Sequence, residues 1–354
     1  MRAFILSAGF GQRLGLIGKD IPKALMPLGG VPQIEFALYK LRKCGVKEVG
    51  INLHYKSELI RNTLGDHFQG IKLNYFFEKE ILGTAGCLKN AEEFLSEKKE
   101  PFFVINCDAP SSIDFMSALE HHKRGNYLAT LILRSSSEAT SYGILGVDNL
   151  GRLIKFLSHY APNKKNDSMV CGMFTGLSVM SPSIFKHIPS KRYCDIAQEI
   201  YPKLISEDKR VGAIISELYW ADTGTIERFL QANRDLLSGN FLPDFDWPTK
   251  EFLFVEGEKI SWGSGIIEPP VLISKNAIIQ KDAVASQNSI LMSGSCLSKG
   301  SKLVGSILFP NSFVENDLIL SDCVVGSKTI VSSKAKRNGK PFGGSYSSIR
   351  IKLQ

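Results

Sequence analysis

Towards the C-terminus a pair of small or apolar residues, two places apart, recurs every six residues. The pairs are Ala277/Ile279, Ala283/Ala285, Ser289/Leu291, Ser295/Leu297, Ser301/Leu303 and Ile307/Phe309. The rhythm then slips and continues loosely through Val314, Ile319, Val325 and Val331. A hexapeptide period predicts a parallel β-helix, in which each face takes one six-residue unit and successive coils bury one another's inner side. A run of ordinary short strands is the plainer alternative.

The chain ahead of the coil has a different texture. Apolar, β-rich runs at 3–7, 48–52, 71–76, 101–106 and 128–134 alternate with helical patterns at 33–44, 57–64 and 86–95. Further strands are expected at 143–147, 152–157 and 177–180, and helices at 195–205 and 225–237. Such alternation predicts an α/β fold with a Rossmann-like, mostly parallel sheet covered by helices on both faces. Ligands in these folds bind beyond the carboxyl ends of the strands. The expected organisation is a first domain over 1–240, a linker over 241–269, the coil over 270–331 and a basic tail over 332–354. The linker reading rests on four prolines between Phe241 and Pro270 and no long periodic pattern.

Of 354 residues, 44% are hydrophobic and 22% charged, an ordinary globular balance. The formal charge is +8, which points to an anionic partner. Six of the basic residues, and no acidic one, fall in 332–354, leaving only +2 for the rest. That tail reads as a solvated terminus, with docking to an acidic surface as the alternative. No apolar run approaches the ~18–20 residues of a membrane span. The seven scattered cysteines contain no C-x-x-C pair, so neither a zinc site nor a disulfide framework is indicated, and a cytoplasmic setting is expected.

Glycines follow the first strand, in Ser7-Ala8-Gly9-Phe10-Gly11-Gln12-Arg13-Leu14. Glycine lets backbone approach a phosphate and present N–H groups to it. The third glycine, Gly15, falls one place beyond the dinucleotide spacing, and no P-loop pattern exists. Arg13 and then Pro22-Lys23-Ala24-Leu25 add a guanidinium and an ammonium, which together suit a triphosphate. Asp108 and Asp222 each end an apolar run, where ligand-binding carboxylates sit in an open α/β sheet; capping of a turn or helix is the plainer alternative, and the two roles are not exclusive.

The segment Ala8-Gly9-Phe10-Gly11-Gln12-Arg13-Leu14 … Pro22-Lys23-Ala24-Leu25 resembles the signature of the sugar-nucleotide pyrophosphorylases, nucleotidyltransferases that join a sugar 1-phosphate to an NTP. Glu78 … Leu82-Gly83-Thr84-Ala85-Gly86 resembles the family's base-recognition segment. Val104-Ile105-Asn106-Cys107-Asp108 is similar to its N-G-D metal motif, Phe174-Thr175-Gly176 to its sugar-side strand, and Trp220-Ala221-Asp222-Thr223-Gly224-Thr225 to its W-x-D-x-G-T motif. The hexapeptide coil, left-handed in the family, is a frequent attachment. The branch most resembled is that of the mannose-1-phosphate guanylyltransferases.

The resemblance implies release of pyrophosphate from GTP and mannose 1-phosphate or a related sugar phosphate, giving a GDP-sugar; uridylyl or adenylyl transfer remains open. It implies Arg13 and Lys23 as catalytic cations, Leu6, Ala8, Gly9, Gly11, Gly83, Thr84 and Gly86 around the nucleotide, and Mg²⁺ on Asp108 and Asp222. Gly143, Ser158 and Thr175 would face the sugar. Family members carry Glu-Lys-Pro where this chain has Ser158-His159-Tyr160. That departure leaves a second reading, a catalytically weak sugar-nucleotide-binding regulator. All six histidines precede residue 188, so the coil lacks the base an acyltransferase needs and reads as a surface for homo-oligomerisation. Neither nucleic acid nor membrane is an expected partner.

Overall fold

The structure, a computed structural model, describes residues 1–135, 143–190 and 192–332, together with the backbone of short strands at Lys336–Arg337, Lys340–Pro341 and Ser347–Ile349. It divides into two compact units, neither of them one continuous stretch. The first is Met1–Gly9 with Ile34–Trp220, and the second is Phe10–Gln33 with Ala221–Gln354.

The first unit is built on one sheet: β1 (Arg2–Leu6), β2 (Glu48–Leu53), β3 (Ile71–Phe77), β4 (Phe102–Asn106), β5 (Ala129–Arg134), β6 (Leu145–Val147), β7 (Leu153–Phe156), β8 (Val170–Met180) and β9 (Val211–Ser216). Its centre runs β4-β1-β2-β3, all parallel. Ala3, Phe4 and Ile5 are buried completely, as befits a strand covered on both faces. Beyond β4 the sheet becomes mixed. The long strand β8 pairs antiparallel with β4, β5 and β6, and β9 lies parallel to β5. The register of β8 against β5 shifts between Phe174 and Ser178, a bulge that holds Thr175 and Gly176. Phe4, Leu88, Phe102, Leu131, Phe156 and Tyr201 lie in one buried cluster.

In the second unit, short parallel strands stack into three faces, forming the expected parallel β-helix of left-handed type. Val284 pairs with Lys302, eighteen residues on, which is three hexapeptides. Ile290, by contrast, pairs with Ile307, seventeen residues on. The missing residue is in the corner: Gln287, Asn288 and Ser289 bridge one turn where only Gly305 and Ser306 bridge the next. The rhythm therefore slips one pair earlier than expected. The inward pair is Ser306/Leu308, while Ile307 and Phe309 point out and pack with Phe229, Leu230 and Leu237 of the helix Ile226–Leu237. The rings of Phe229 and Phe309 meet edge to face at 6.4 Å. The first position of each inward pair is often serine, because its hydroxyl can bond the backbone of the wall: Ser301 donates to Glu315 O at 2.6 Å and Ser312 to Phe309 O at 2.7 Å.

Two expectations need correction or limit. Residues 252–268, read as linker, form strands: Phe252–Val255 pairs antiparallel with Val271–Ser274, and Gly265–Glu268 begins a face of the coil. Strands of four residues are too short to leave a period, and the neighbouring prolines masked them. The side chains of 333–354 lie outside the described residues; of that backbone, Ser347–Ile349 pairs in parallel with Cys323–Val325. Among the described residues no helix is long and apolar enough to cross a membrane.

Leu303 is wholly buried in the coil. Leu303→Ala is expected to lower the unfolding free energy of the second unit by about 2–5 kcal/mol, read from denaturant melts.

Candidate active site

In the first unit the carboxyl ends of β4, β1, β2 and β3 lie side by side, and the loops that leave them are held by hydrogen bonds. Leu6 O accepts from the Cys107 amide at 3.1 Å, joining the ends of β1 and β4. The Ser7 amide donates to Asn52 Oδ1 at 2.7 Å. Ala8 is buried and Gly9 exposed, and the buried Ser7 hydroxyl has no partner among the described residues. Asp108 follows β4 and is 9% exposed.

The segment 82–86 opens the helix Gly83–Asn90 and is gripped from two sides. On one side, Glu78 Oε2 accepts the Leu82 amide at 2.9 Å. On the other, Cys194 O accepts the amides of Ala85 at 2.9 Å and Gly86 at 3.1 Å, and the Cys194 amide returns to Leu82 O at 2.9 Å. Thr84 Oγ1 donates to Asp195 Oδ2 at 3.1 Å and accepts the Ile196 amide at 2.8 Å. A Cβ on Gly83, whose φ is +74°, would stand 2.5 Å from Cys194 O. The Thr84 hydroxyl and the Gly86 amide are engaged by the 194–196 segment. Burial pushes the Cys194 thiol up to about 11 and the Cys87 thiol well above its ordinary value, so neither is a thiolate nucleophile near neutral pH.

On the expected sugar side, Thr175 is 1% exposed. Its hydroxyl donates to Ile132 O at 2.7 Å and its carbonyl accepts the Trp220 indole N–H at 2.8 Å. It braces the sheet, and the β8 bulge sets its direction. Gly143 has φ +91°, and a Cβ there would lie 2.2 Å from Leu157 Cδ2. Leu157 and Ser158 form the exposed two-residue turn between β7 and His159–Tyr160. Of the nearby cations, Lys164 is tied to Asp167 at 2.6 Å and Lys155 lies over the Tyr160 ring at 5.2 Å.

The second unit gathers the other elements. Gly11, at φ +64°, accepts the Leu14 amide through its carbonyl at 2.9 Å and starts a single 3₁₀ turn that carries Arg13. A Cβ on Gly11 would stand 3.6 Å from Lys23 Cβ, so the glycine loop runs directly against Lys23. A Cβ on Gly224 would fall 2.6 Å from Arg13 Nη2 and 2.8 Å from Asp222 Oδ1. The guanidinium of Arg13 thus lies on the backbone of the Asp222-Thr223-Gly224 turn, where only glycine leaves room. Asp222 Oδ1 accepts the Gly224 amide at 2.8 Å and Oδ2 pairs with Arg228 Nη1 at 2.9 Å. Thr223 Oγ1 donates to the buried Gln33 Oε1, and Thr225 caps the following helix by accepting the Arg228 amide.

Asn52, Asp195, Gln33 and Arg228 had not been singled out. Asp195 carried a signal, since it stands one residue before a helical run and its Oδ1 accepts the Ala197 and Gln198 amides at 2.9 Å. A polar residue closing a strand, as Asn52 does, carries no comparable mark.

Residues 2–239 match the nucleotidyl transferase family. The chain is 33% identical over 328 residues to a mannose-1-phosphate guanyltransferase of Yarrowia lipolytica, covering 90% of this chain and 86% of that one. It is 32% identical over 346 residues to the mannose-1-phosphate guanyltransferase of Debaryomyces hansenii, covering 96% and 90%. A UTP–glucose-1-phosphate uridylyltransferase of Synechocystis sp. is 29% identical over 250 residues, 67% of this chain and 64% of that one. Among solved structures, HddC from Yersinia pseudotuberculosis shares the fold with a TM-score of 0.55 at 23% identity, over 66% of this chain and 98% of that one. With Gly11, Arg13, Lys23 and the Asp222 turn in one unit and relatives matched along nearly its whole length, the chain belongs to the nucleotidyl transferase family and is an enzyme of that class.

Proposed function

We propose that the protein joins mannose 1-phosphate to GTP, forming GDP-mannose and releasing pyrophosphate. The observation that carries this reading is Arg13 laid over the Asp222-Thr223-Gly224 turn, with the stem of Lys23 against Gly11: a guanidinium held on glycine backbone and a lysine rooted beside the same loop, which suits a triphosphate. The choice of substrates rests on the two fungal guanyltransferases, whose similarity extends through the coil. A solved HddC is complexed with GMP-PN, which fits a guanine nucleotide.

In the reaction an oxygen of the sugar phosphate attacks the α-phosphorus. The bond from that phosphorus to the bridging oxygen breaks, and its electron pair leaves with pyrophosphate. Two polyanions must meet, so positioning and neutralisation carry the catalysis. Arg13 clamps phosphate oxygens and takes up the charge that develops at the α-phosphate, while Lys23 bridges to the incoming sugar phosphate. Backbone at Leu6, Ala8, Gly9, Gly11 and Gly83 holds the nucleotide, and Gly143 and Ser158 border the sugar.

Asp108 and Asp222 are each proposed as a magnesium ligand. Asp108 and Asp222 are hard oxygen ligands, and Mg²⁺ is commonly held by one or two carboxylates with phosphates and water. No group of three or more acidic, His or Cys side chains gathers among the described residues, so substrate phosphates would complete the shell. Each Asp222 oxygen already accepts one hydrogen bond and retains a further lone pair. When bound, the ion neutralises phosphate charge.

A second reading, a weakly catalytic sugar-nucleotide-binding regulator, is favoured by Ser158, which offers no carboxylate to sugar hydroxyls. The coil serves association with further copies of the chain: Ile278 and Phe313 are exposed in one column of a coil face, in line with Cys296 and Ile330. The seven cysteines are all free, which suits the cytoplasm.

Pyrophosphate release across a panel of GTP, UTP and ATP with several sugar 1-phosphates is expected to be fastest for GTP with mannose 1-phosphate. GDP-mannose binding without turnover of any pair would establish the regulator instead. Chelation by EDTA is expected to stop turnover, and excess Mg²⁺ to restore it. Gly224→Ala, by displacing Arg13, is expected to lower kcat about 100-fold with an unchanged melting temperature.

A further inference from the structure

We propose that Asn52 and Glu78 are positioning residues for the nucleotide, a buried relay that fixes the start of the glycine loop against the 82–86 segment and so sets NTP affinity. The proposal rests on the nucleotidyl-transfer reading above. Asn52 is 4% and Glu78 6% exposed. They close β2 and follow β3, so with Ser7 after β1 the relay crosses the carboxyl ends of three adjacent parallel strands.

The hydrogen bonds permit only one arrangement. The Ser7 amide is a donor, so Asn52 turns Oδ1 to it, at 2.7 Å. The Asn52 Nδ2 then donates to Glu78 Oε1 at 2.7 Å, and Glu78 Oε2 accepts the Leu82 amide at 2.9 Å. Glu78 must accept at both ends, and only a carboxylate does so. Its backbone is pinned as well: its amide donates to Leu53 O at 2.8 Å, and its carbonyl accepts from His54 Nδ1 at 2.8 Å, which places the proton on that nitrogen. A buried carboxylate held by N–H donors costs desolvation that burial of an apolar pair would avoid. Its return is the fixed placement of Ser7 and Leu82, the two points from which the nucleotide-side loops depart.

The chemistry supplies its own control. Glu78→Gln turns an NH₂ group towards either Asn52 Nδ2 or the Leu82 amide, and Asn52→Asp sets two carboxylates side by side. In the double variant N52D/E78Q all three bonds are rebuilt. The new carboxylate at position 52 accepts from Ser7 and from the new amide at position 78, whose carbonyl accepts from Leu82. Steady-state kinetics and melting temperatures would be measured for the wild type, both single variants and the double variant. Each single variant is expected to raise KM for GTP about tenfold, with KM for the sugar 1-phosphate within about twofold, and the double variant to return KM for GTP to within about threefold of the wild type. An unchanged KM for GTP in a folded single variant overturns the proposal, as does a double variant that folds without recovery. Failure of both single variants to fold assigns the pair to stability and also overturns it. If one single variant fails to fold, the other and the double variant decide by the same criteria. A wild type that turns over no substrate pair defeats the functional reading, and this proposal with it.

Discussion

An irregular loop that must keep one shape needs partners for its amides from outside itself, and the functional segments of this chain depend on that condition. Buried backbone N–H groups left without acceptors cost more than most side-chain contacts return. The 82–86 segment meets the requirement through Glu78 and Cys194 O; the 222–224 turn meets it within itself, through Asp222 Oδ1. Both solutions bring backbone or a charged group so near that a Cβ would collide, at Gly83 with Cys194 O and at Gly224 with Arg13. The glycines of these segments are therefore consequences of how the loops are held, before any substrate is considered.

The coil shows the same economy at larger scale. A hexapeptide per face fixes which side chains point inward, but it leaves the outward ones free to serve the rest of the unit. Shortening one corner to Gly305-Ser306 keeps the inward series intact as Ser306/Leu308. Leu272, Ile290, Ile307 and Val324 form an outward column of one face, and the helix Ile226–Leu237 packs on it through Phe229, Leu230 and Leu237. The second unit thus has two apolar layers on a wall one strand thick.

What could be read in the sequence follows from how strongly position determines environment. Strands such as Ala3–Ile5 announce themselves, because burial on both faces demands an unbroken apolar run. The hexapeptide period is equally insistent until one residue is removed, after which Ile307 and Phe309 look inward in the sequence and point outward in the fold. Thr175 was legible as a polar residue near a strand's functional end, but the bulge between Phe174 and Ser178 decides where its hydroxyl points, and no residue type encodes that shift. Asn52 is still harder to read, since a polar side chain at a strand end looks the same whether it meets water or a relay, and Glu78 was legible only as the opening of the 78–86 segment, not as the partner of Asn52. Arg13 and Asp222 could be proposed from the sequence because each stands within two residues of a glycine, and Asp108 because it follows an apolar strand.

The sugar side is where the chain departs from its resemblance, and local geometry limits what Ser158 can do. It sits in a two-residue turn whose first residue, Leu157, has φ +54°, a left-handed conformation that costs a branched side chain on the order of 1 kcal/mol. Leu157 Cδ2 also occupies the space a Cβ on Gly143 would take. Within this exposed turn Ser158 offers one short hydroxyl where a glutamate would reach further with two acceptor oxygens. A hydroxyl can donate as well as accept, so it discriminates less sharply among sugar hydroxyls than an ionised carboxylate, whose bonds are also about twice as strong. If Gly143 and Ser158 border the sugar as proposed, recognition would shift to what every sugar 1-phosphate shares, the phosphate, and to the shape that Gly143 and Leu157 make, so that selectivity would come from steric fit more than from hydrogen bonding.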